Sequence, residues 1–254
     1  MSFAESELSD DRFLDGTLDI YQPVAGYRAA TDPVFLAAAV PAKSGQSVLE
    51  IGCGAGTALA CLLHRVRAEV TGLELQADYA ELAERNISRN GFSANIVLGD
   101  LAEMPQELKA KNFDHVMMNP PFFESHRKTA PSDPGKSTAF IEGNASLHDW
   151  LSAGLKRLKP LGWITIIHKA ERLGEILNGL SGAGDIHILP LSPRNGRAAG
   201  RVIVQARKGS AAPLKLLAPL VLHKGDYHSN DGDNFSEIIS GILRDGNALV
   251  ISGT

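Results

Sequence analysis

Three glycines, Gly52, Gly54 and Gly56, stand at every second position directly after the apolar run of residues 48–51. The run predicts a buried strand, and the stretch Thr57–Arg65 that follows the glycines predicts a helix. Because glycine has no Cβ, it permits a tight turn and lets a ligand approach the backbone closely. A strand, a glycine turn and a helix form the nucleotide crevice of α/β sheets, so a nucleotide site is predicted here.

The spacing of these glycines bears on which nucleotide the turn binds. The dinucleotide fingerprint Gly-x-Gly-x-x-Gly would need a glycine at the position of Thr57, so a nicotinamide dehydrogenase is the least favoured class. The pattern Glu50-x-Gly52-x-Gly54-x-Gly56 instead resembles motif I of the S-adenosylmethionine-dependent methyltransferases. The resemblance implies that the loop holds the methionine end of the cofactor, with Glu50 near its amino group or ribose. The alternative is an ordinary strand–helix turn.

Acidic residues end the next two predicted strands. Glu74 closes the stretch Glu69–Glu74, 22 positions after the first glycine, where a carboxylate can accept both hydroxyls of a ribose. A helix-capping acid is the alternative for Glu74. Asp100 and Leu101 follow a third predicted strand over residues 94–98. An acid at that position resembles the residue with which this methyltransferase class reads the adenine amino group. Glu74, Asp100 and Leu101 are therefore predicted to bind the cofactor.

The strand predicted over Phe113–Met118 leads into Asn119, Pro120, Pro121 and Phe122. This matches the (Asn/Asp/Ser)-Pro-Pro-(Tyr/Phe) signature of methyltransferases that act on a nitrogen conjugated with a ring or carbonyl. Such a nitrogen is a weak nucleophile because its lone pair is delocalised. Two acceptors, the Asn119 side-chain oxygen and the Pro120 carbonyl, would favour a pyramidal nitrogen, and Phe122 would stack on the base for about 1–3 kcal/mol. A strand-ending Pro-Pro turn without chemistry is the alternative.

A long aperiodic stretch, residues 123–142, follows this turn and predicts a lid or binding loop. Phe123, His126 and Arg127 are predicted to contact the substrate there, with His126 solvated or close to a phosphate. The eight histidines of the chain show no metal-ligand spacing, so no metal is predicted.

The segment Tyr27-Arg28…Thr31-Asp32 resembles one that precedes motif I in small-domain methyltransferases and closes over the cofactor. The resemblance makes Arg28 and Thr31 candidates for binding the methionine carboxylate. Thr31 or Asp32 is also expected to cap a helix that opens at Pro33. The two interpretations of the segment are compatible.

Seven strands and the helices between them are predicted to position these residues. The pattern predicts an α/β fold with a doubly wound, mostly parallel, Rossmann-like sheet whose last strand is antiparallel. The methyltransferase domain would span residues 21–209, after a flexible amino-terminal segment over residues 1–20. A carboxy-terminal extension over residues 210–254 would pack on the same domain, with a short helix near residues 236–243.

The net charge of −4 is unevenly distributed. Residues 151–224 contain 12 Lys/Arg and 3 Asp/Glu, whereas residues 1–150 contain 12 and 21. A basic segment in an acidic chain is either a footprint for a polyanion such as RNA or a set of solvated charges that folding scatters. Arg194 and Arg197 lie in the basic segment and are assigned to substrate binding.

The composition, with 44% hydrophobic and 21% charged residues, is ordinary for a soluble globular protein. Two cysteines, Cys53 and Cys61, are too few for a disulfide framework and are expected to be buried in a reducing compartment. The acidic start lacks the basic end and apolar core of a signal peptide, and no apolar run is long enough to span a membrane. A cytoplasmic location is therefore expected, and the oligomeric state stays open between monomer and homodimer.

Together, from about Tyr21 to Lys208, these motifs resemble the small-domain methyltransferases that include the bacterial tRNA(Val) adenine-N6 methyltransferases. The resemblance implies S-adenosylmethionine as cofactor, tRNA as partner and methyl transfer to the N6 of an adenine in RNA, most simply in the anticodon loop. Asn119, Pro120 and Phe122 would be catalytic, and Asn119 would also contact the cofactor. The alternatives are another RNA base amine, the side-chain amide of a protein glutamine, or a cofactor-binding module without catalysis.

Overall fold

The computed structural model describes residues 3–122, 145–225 and 234–251. Its strands are β1 (Leu8–Phe13), β2 (Leu18–Pro23), β3 (Ser47–Ile51), β4 (Glu69–Glu74), β5 (Asn95–Leu98), β6 (Phe113–Met118), β7 (Leu158–Lys169), β8 (Ala183–Ser192), β9 (Arg201–Lys208), β10 (Lys215–Leu216) and β11 (Leu220–Val221). Its helices are α1 (Asp32–Ala39), α2 (Thr57–Arg65), α3 (Ala77–Arg89), α4 (Gln106–Lys109), α5 (Leu147–Arg157), α6 (Leu173–Gly179) and α7 (Glu237–Asp245).

The main sheet has the order β10-β8-β9-β7-β6-β3-β4-β5, and β11 also pairs with β8. Strands β5, β4, β3, β6 and β7 run parallel, while β9 is antiparallel to both β7 and β8. The predicted α/β fold with an antiparallel last strand is confirmed, and β3 to β9 are the seven predicted strands. The sheet is wider than predicted because β10 and β11 add two more strands. Each has only two residues, which is too short to give a periodic pattern.

The inner strands are buried on both faces, as parallel strands between two helical layers should be. Val48 and Leu49 are neighbours on β3, and both are fully buried. Val48 packs with α1 and α2 in one core cluster, and Leu49 packs with α5 and α6 in the other. These two cores fix the sheet between its helices and bring the carboxyl ends of the parallel strands to one edge.

The amino-terminal segment differs from the flexible start predicted for residues 1–20. Strands β1 and β2 form an antiparallel hairpin that runs in register from Leu8↔Pro23 to Phe13↔Leu18. Asn86 on α3 fixes the hairpin, because its Oδ1 accepts from Tyr21 N at 2.8 Å and its Nδ2 donates to Tyr21 O at 2.9 Å. The hairpin places Leu14, Leu18 and Ile20 in the core, but acidic residues separate its apolar ones and side chains from a distant helix hold it in place, so the predicted flexible start is wrong.

The described part of the carboxy-terminal extension contacts the same domain. Strands β10 and β11 pair with β8, and the backbone N–H of Leu249 donates to Ala38 O at 2.8 Å. Ser236 caps α7 by accepting from Ile239 N at 3.4 Å, close to the predicted helix start. Within the described ranges, no helix combines the length and apolar character that crossing a bilayer requires.

Candidate active site

A cavity of about 270 Å³ opens at the carboxyl ends of the parallel strands. It lies where β3 is flanked by β4 on one side and β6 on the other, which is the point at which the strand order reverses. Ligands bind at this switch point in open α/β sheets. Nine predicted site residues line the cavity: Glu50, Gly52, Gly54, Glu74, Asp100, Leu101, Asn119, Pro120 and Phe122.

The glycine loop approaches its neighbours too closely for other residues. Gly52 has a φ of +72°, and a Cβ there would lie 2.5 Å from Cη2 of Trp150. Gly56 has a φ of +79°, and a Cβ there would lie 3.2 Å from the Cβ of Ala83 on α3. Gly52 therefore shapes the cavity, whereas Gly56 lies outside the cavity lining and lets α2 start close to α3.

Two buried carboxylates face the glycine loop. Glu74 accepts hydrogen bonds from Gly54 N at 2.8 Å and from Gln76 N at 2.9 Å. Glu50 is 3% exposed, and its Oε2 has no hydrogen-bond partner among the described residues. Burial, with the nearby charge of Glu74, holds the pKa of Glu50 well above its usual value. Burial also raises the pKa of Glu74, against the lowering effect of its backbone hydrogen bonds.

Asn119 lines the cavity and carries a buried acceptor. Its Oδ1 is buried and has no hydrogen-bond partner among the described residues. Its Nδ2 faces the hydroxyl of Tyr27 at 3.5 Å, which directs the amide so that the oxygen stays free. Burial raises the pKa of Tyr27 far above neutral pH, so its hydroxyl is uncharged and can accept from Nδ2.

Tyr27 is itself fixed by a helix on the other side of the loop. The hydroxyl of Tyr79 on α3 accepts from Tyr27 N at 2.9 Å and lies 3.2 Å from Tyr27 O, to which it donates. A Cβ at Gly26 would lie 2.8 Å from that hydroxyl, so the segment passes very close to α3. The segment that precedes the first motif therefore reaches the cavity through Tyr27.

The structure does not bring Arg28 or Thr31 to the cavity lining. Arg28 donates to Asp11 Oδ2 at 2.5 Å and to Ser9 Oγ at 2.7 Å, so it braces the amino-terminal hairpin. Thr31 is the N-cap residue of α1, and its side chain makes no capping hydrogen bond. Their assignment to the methionine carboxylate stays a prediction that the placement of both side chains does not favour.

The residues predicted to contact substrate fall into two groups. Phe123, His126 and Arg127 lie outside the described residues. Arg194 donates to the carbonyls of Lys224 and Gly225, at 2.7 and 2.9 Å, and Arg197 is exposed on the connection between β8 and β9. Neither arginine lines the cavity, so any contact with substrate would be made beyond it.

Several residues near the cavity were not assigned from the sequence. Tyr27 stood inside a quoted motif, which was a signal that could have identified it. Trp150 lines the cavity from α5, which begins after the aperiodic stretch, and no local pattern marks it. His168 and Arg201, at the ends of β7 and β9, contact the Pro121–Phe122 turn and also lacked a local signal.

The chemistry of the lining fits S-adenosylmethionine. That cofactor carries a positive sulfonium, an ammonium and two ribose hydroxyls, and Glu50 and Glu74 offer acceptors for such groups. No lysine or arginine lines the described part of the cavity. Thr57 opens α2, and its buried Oγ1 has no hydrogen-bond partner in the described part of the chain. A helix N-terminus favours an anion such as the methionine carboxylate.

Residues 30–133, less than half of the chain, match the family model described as the methyltransferase small domain. A tRNA1(Val) (adenine(37)-N6)-methyltransferase of Bacteroides fragilis is 28% identical over 150 residues, which are 58% of this chain and 62% of that protein. The enzyme of the same name from Shewanella halifaxensis is 29% identical over 58% of this chain and 59% of its own. The enzyme of that name from Aeromonas salmonicida is 26% identical, over 72% of this chain and 77% of its own.

Solved structures share the fold at lower identity. An Agrobacterium tumefaciens protein described as a predicted O-methyltransferase superposes with a TM-score of 0.68 at 24% identity, over 85% of this chain and 97% of its own. A Pyrococcus furiosus methyltransferase superposes with a TM-score of 0.54 at 21% identity, over 76% of this chain and 90% of its own. The Thermus thermophilus 16S rRNA N2 G1207 methyltransferase superposes with a TM-score of 0.54 at 18% identity, over 79% of this chain and 50% of its own. The chain therefore has the Rossmann-like α/β fold that these solved methyltransferases share, and its residues 30–133 match the methyltransferase small domain.

Proposed function

We propose that the protein transfers a methyl group from S-adenosylmethionine to the exocyclic N6 of an adenine in RNA, in the anticodon loop of a tRNA. One observation carries this proposal. The buried Oδ1 of Asn119, without a partner among the described residues, stands beside Pro120 and Phe122 at the edge of the cavity. An amide oxygen held free in a buried position suits the N–H of a flat, conjugated amine.

The chain's own residues would hold the cofactor at the glycine loop. Glu74 would accept from the ribose hydroxyls, since each of its carboxylate oxygens has a lone pair beyond those used by Gly54 and Gln76. Asp100 and Leu101 would border the adenine, and Glu50 would face the positively charged methionine end. When bound, the cofactor supplies an electrophilic methyl group.

The turn residues would prepare the target nitrogen. Asn119 Oδ1 and the Pro120 carbonyl would accept its two N–H bonds, which favours a pyramidal nitrogen with its lone pair directed away from the ring. Phe122 would hold the base by stacking. The main contribution of these residues is alignment, and well-oriented groups gain roughly 7–11 kcal/mol over a bimolecular encounter. A base in an RNA loop is already partly unstacked, so extruding it costs at most a few kcal/mol.

Nine of the twelve basic residues of the 151–224 segment divide between the two ends of the sheet. Those at the amino end donate to backbone carbonyls or pair with Asp114, and they are Arg157, Lys159, Arg207 and Lys208. Those that follow β7 or lead into β9 are Lys169, Arg172, Arg194, Arg197 and Arg201, of which Arg201 contacts the turn. Of these two groups, the second lies on the side of the sheet where a base would enter the cavity.

The names of the relatives support the same substrate class. Three of them are described as methyltransferases of adenine 37 in tRNA1(Val). Their identities are below 30%, and the alignments with the first two cover less than two thirds of each relative. The RNA species and the target nucleotide are therefore part of the proposal.

A second candidate is N5-methylation of a protein glutamine, whose side-chain amide poses the same nucleophile problem. The ion pairs at the rim favour it. Lys169 pairs with Glu171 at 3.6 Å, Arg201 pairs with Asp32 at 2.9 Å, and Arg172 pairs with Glu175. These carboxylates reduce the positive field that a phosphate backbone would meet.

The test uses labelled S-adenosylmethionine, total tRNA and total protein from a bacterial strain that lacks this protein. Nucleoside analysis of the labelled tRNA should give N6-methyladenosine. Label in protein but none in tRNA would replace the RNA proposal with the glutamine one. Binding of S-adenosylhomocysteine without transfer to either polymer would overturn both and indicate a module without catalysis.

A further inference from the structure

An arginine that lines no part of the cavity contacts the ring of the catalytic turn. Arg201 is the first residue of β9, and its Cζ lies 4.6 Å from the centroid of the Phe122 ring. Its Nε donates to Oδ2 of Asp32 at 2.9 Å. The guanidinium is therefore held by a carboxylate at the start of α1 while it rests on an aromatic face.

His168 supports the same turn from β7. Its Nδ1 accepts from Lys169 N at 2.8 Å, so the neutral ring carries its proton on Nε2. That nitrogen donates to the Pro121 carbonyl at 3.2 Å, and the ring meets Phe122 edge to face with centroids 5.3 Å apart. His168 is fully buried, and burial lowers its pKa to about 4, so the donor is retained at neutral pH.

We propose that Arg201 and His168 are positioning residues of the methyl-transfer site, and that Arg201 covers one face of Phe122 so that the target base stacks only on the other. The proposal rests on the proposed function, because it specifies how the same site receives its base. A guanidinium is attracted to the negative face of an aromatic ring and stays stacked there. Phe122 lines the cavity and Arg201 does not, so a base would meet the ring from the cavity side.

The arrangement gives the base a single way to stack. With Arg201 over one ring face and the His168 ring nearly perpendicular to it at 5.3 Å, Phe122 cannot swing into a second position without breaking both contacts. The hydrogen bond from His168 to the Pro121 carbonyl fixes the peptide on which the ring is carried. The distance between the stacked base and Asn119 is then set by the frame of β7 and β9. Alignment of this kind is where a shift of about 1 Å can cost 10²-fold in rate.

The chain contains a matched control for Arg201. Arg207 lies on the same strand, and its Cζ is 5.7 Å from the ring of Trp163 at the opposite end of the sheet. Arg201→Ala and Arg207→Ala therefore remove the same kind of contact from the two ends of β9. Arg201→Lys keeps the charge but loses the planar group that stacks, so it separates stacking from attraction for phosphate.

The first measurement is kcat and KM with tRNA, together with the Kd of S-adenosylhomocysteine, for these three variants. Arg201→Ala should lower kcat by about 10-fold to 100-fold with an unchanged Kd, because alignment is lost. Arg201→Lys should lower kcat nearly as much, and Arg207→Ala should match the wild type. A rise in KM with unchanged kcat would overturn the proposal, since a simple phosphate contact behaves that way.

A companion pair tests His168. His168→Gln keeps an N–H donor for the Pro121 carbonyl, whereas His168→Leu removes it. The Gln variant should retain more of the wild-type kcat than the Leu variant. Equal kcat losses in both variants at equal thermal stability would show that the donor to Pro121 does not matter.

A substrate-free readout separates failure of this inference from failure of the proposed function. The Tm is measured for Arg201→Ala, Phe122→Ala and the double variant, with the Arg207–Trp163 pair as a reference cycle. Non-additive Tm changes are expected for the Arg201 and Phe122 variants. Additive changes would mean that Arg201 does not hold the Phe122 ring, and the inference would fail. If the wild type labels protein and not tRNA, the RNA function fails. The Arg201 and Arg207 variants are then compared with the labelled protein as substrate, and a fall in kcat for the Arg201 variants alone would still support the inference.

Discussion

The two ends of the parallel strands β3, β4 and β6 hold acids in opposite electrostatic conditions. At the amino end, Asp114 accepts from Ser47 N at 2.9 Å, from Ser47 Oγ at 2.8 Å and from Lys159 Nζ at 2.9 Å. Burial acts to raise its pKa, but these hydrogen bonds outweigh burial and lower it to about 2. At the carboxyl end, Glu50 and Glu74 face a cavity whose described lining has no lysine or arginine, and burial raises the pKa of both.

The difference shows which hydrogen-bonding groups the fold satisfies internally and which it leaves for a ligand. At the amino end, Asp114 is matched by donors of the chain, so that end contributes stability. At the carboxyl end, acceptors on Glu50 and Asn119 are left without partners among the described residues. Such groups cost free energy in the unliganded protein and are satisfied by a ligand. Strongly perturbed acids in a cleft are the usual mark of a functional site.

The largest expected effect comes from removing the free acceptor at the carboxyl end. Asn119→Ala should lower kcat by about 10³-fold, as for loss of one preorganised polar contact to a reacting group. Binding of S-adenosylhomocysteine should change little by comparison. Asn95→Ala, at the amino end of β5, is the control and should keep the wild-type rate. Methyl transfer at the normal rate by the Asn119 variant would remove the catalytic role of the turn.

The next effect is on cofactor affinity. Glu74→Gln removes the charge that would accept the ribose hydroxyls, and hydrogen bonds to charged groups contribute about 1.5–3 kcal/mol each. The Kd of S-adenosylhomocysteine should therefore rise about 100-fold by calorimetry. Asp114→Asn makes the same chemical change at the amino end and should leave that Kd unchanged. Equal weakening by both variants would indicate general destabilisation of the fold.

The sequence predicted the residues whose positions follow from a strand end. Glu50 is one residue before the end of β3, Glu74 closes β4 and Asn119 follows β6. Because the carboxyl ends of parallel strands share one edge, local spacing was enough to bring them together. The glycine turn indicated the cofactor class through its resemblance to motif I of the S-adenosylmethionine-dependent methyltransferases. Helices α2, α3 and α5 were predictable because their apolar faces recur with helical periodicity.

The unpredicted contacts join segments that are distant in the sequence. Arg201 meets Phe122 and Asp32 only because β9 inserts beside β7, and no local pattern encodes that insertion. Arg28 was assigned to the cofactor, but the unpredicted hairpin supplies Asp11 as its partner. Basic residues that are close in the sequence separate to the two ends of the sheet because β7 and β9 each span its full depth.

Opposite shifts in stability should follow from neutralising an acid at each end. The pKa of Asp114 is lowered from 3.8 to about 2. Its stabilisation is therefore present above pH 3.8 and lost as the pH falls through 2, and it amounts to about 2 kcal/mol. Asp114→Asn should lower the Tm at pH 7.5 by about 4–8 °C.

Glu50 has the reverse sign. Because its folded-state pKa lies above 4.5, the native protein loses stability as the pH rises from 4.5 through the raised value. Glu50→Gln should therefore raise the Tm of the unliganded protein at pH 7.5. Scanning calorimetry of both variants without ligand measures the two shifts. A lower Tm for Glu50→Gln would mean that this acid is satisfied without a ligand, and the contrast between the two ends would fail.

The smallest expected effect separates two histidines that share a pKa but not a role. Burial lowers the pKa of both His115, near the amino end of β6, and His168, at the carboxyl end of β7, from 6.5 to about 4. The unfolded chain takes up these protons first, so stability falls as the pH drops from 6.5 towards 4, by about 1 kcal/mol per histidine at pH 5.5. Denaturant unfolding at pH 7.5 and 5.5 should show this acid dependence reduced by similar amounts in His115→Gln and His168→Gln. Only His168→Gln should also lower kcat, because only His168 holds the peptide of the catalytic turn. An equal kcat loss in both variants at matched stability would mean that His168 acts through the core and not through the turn.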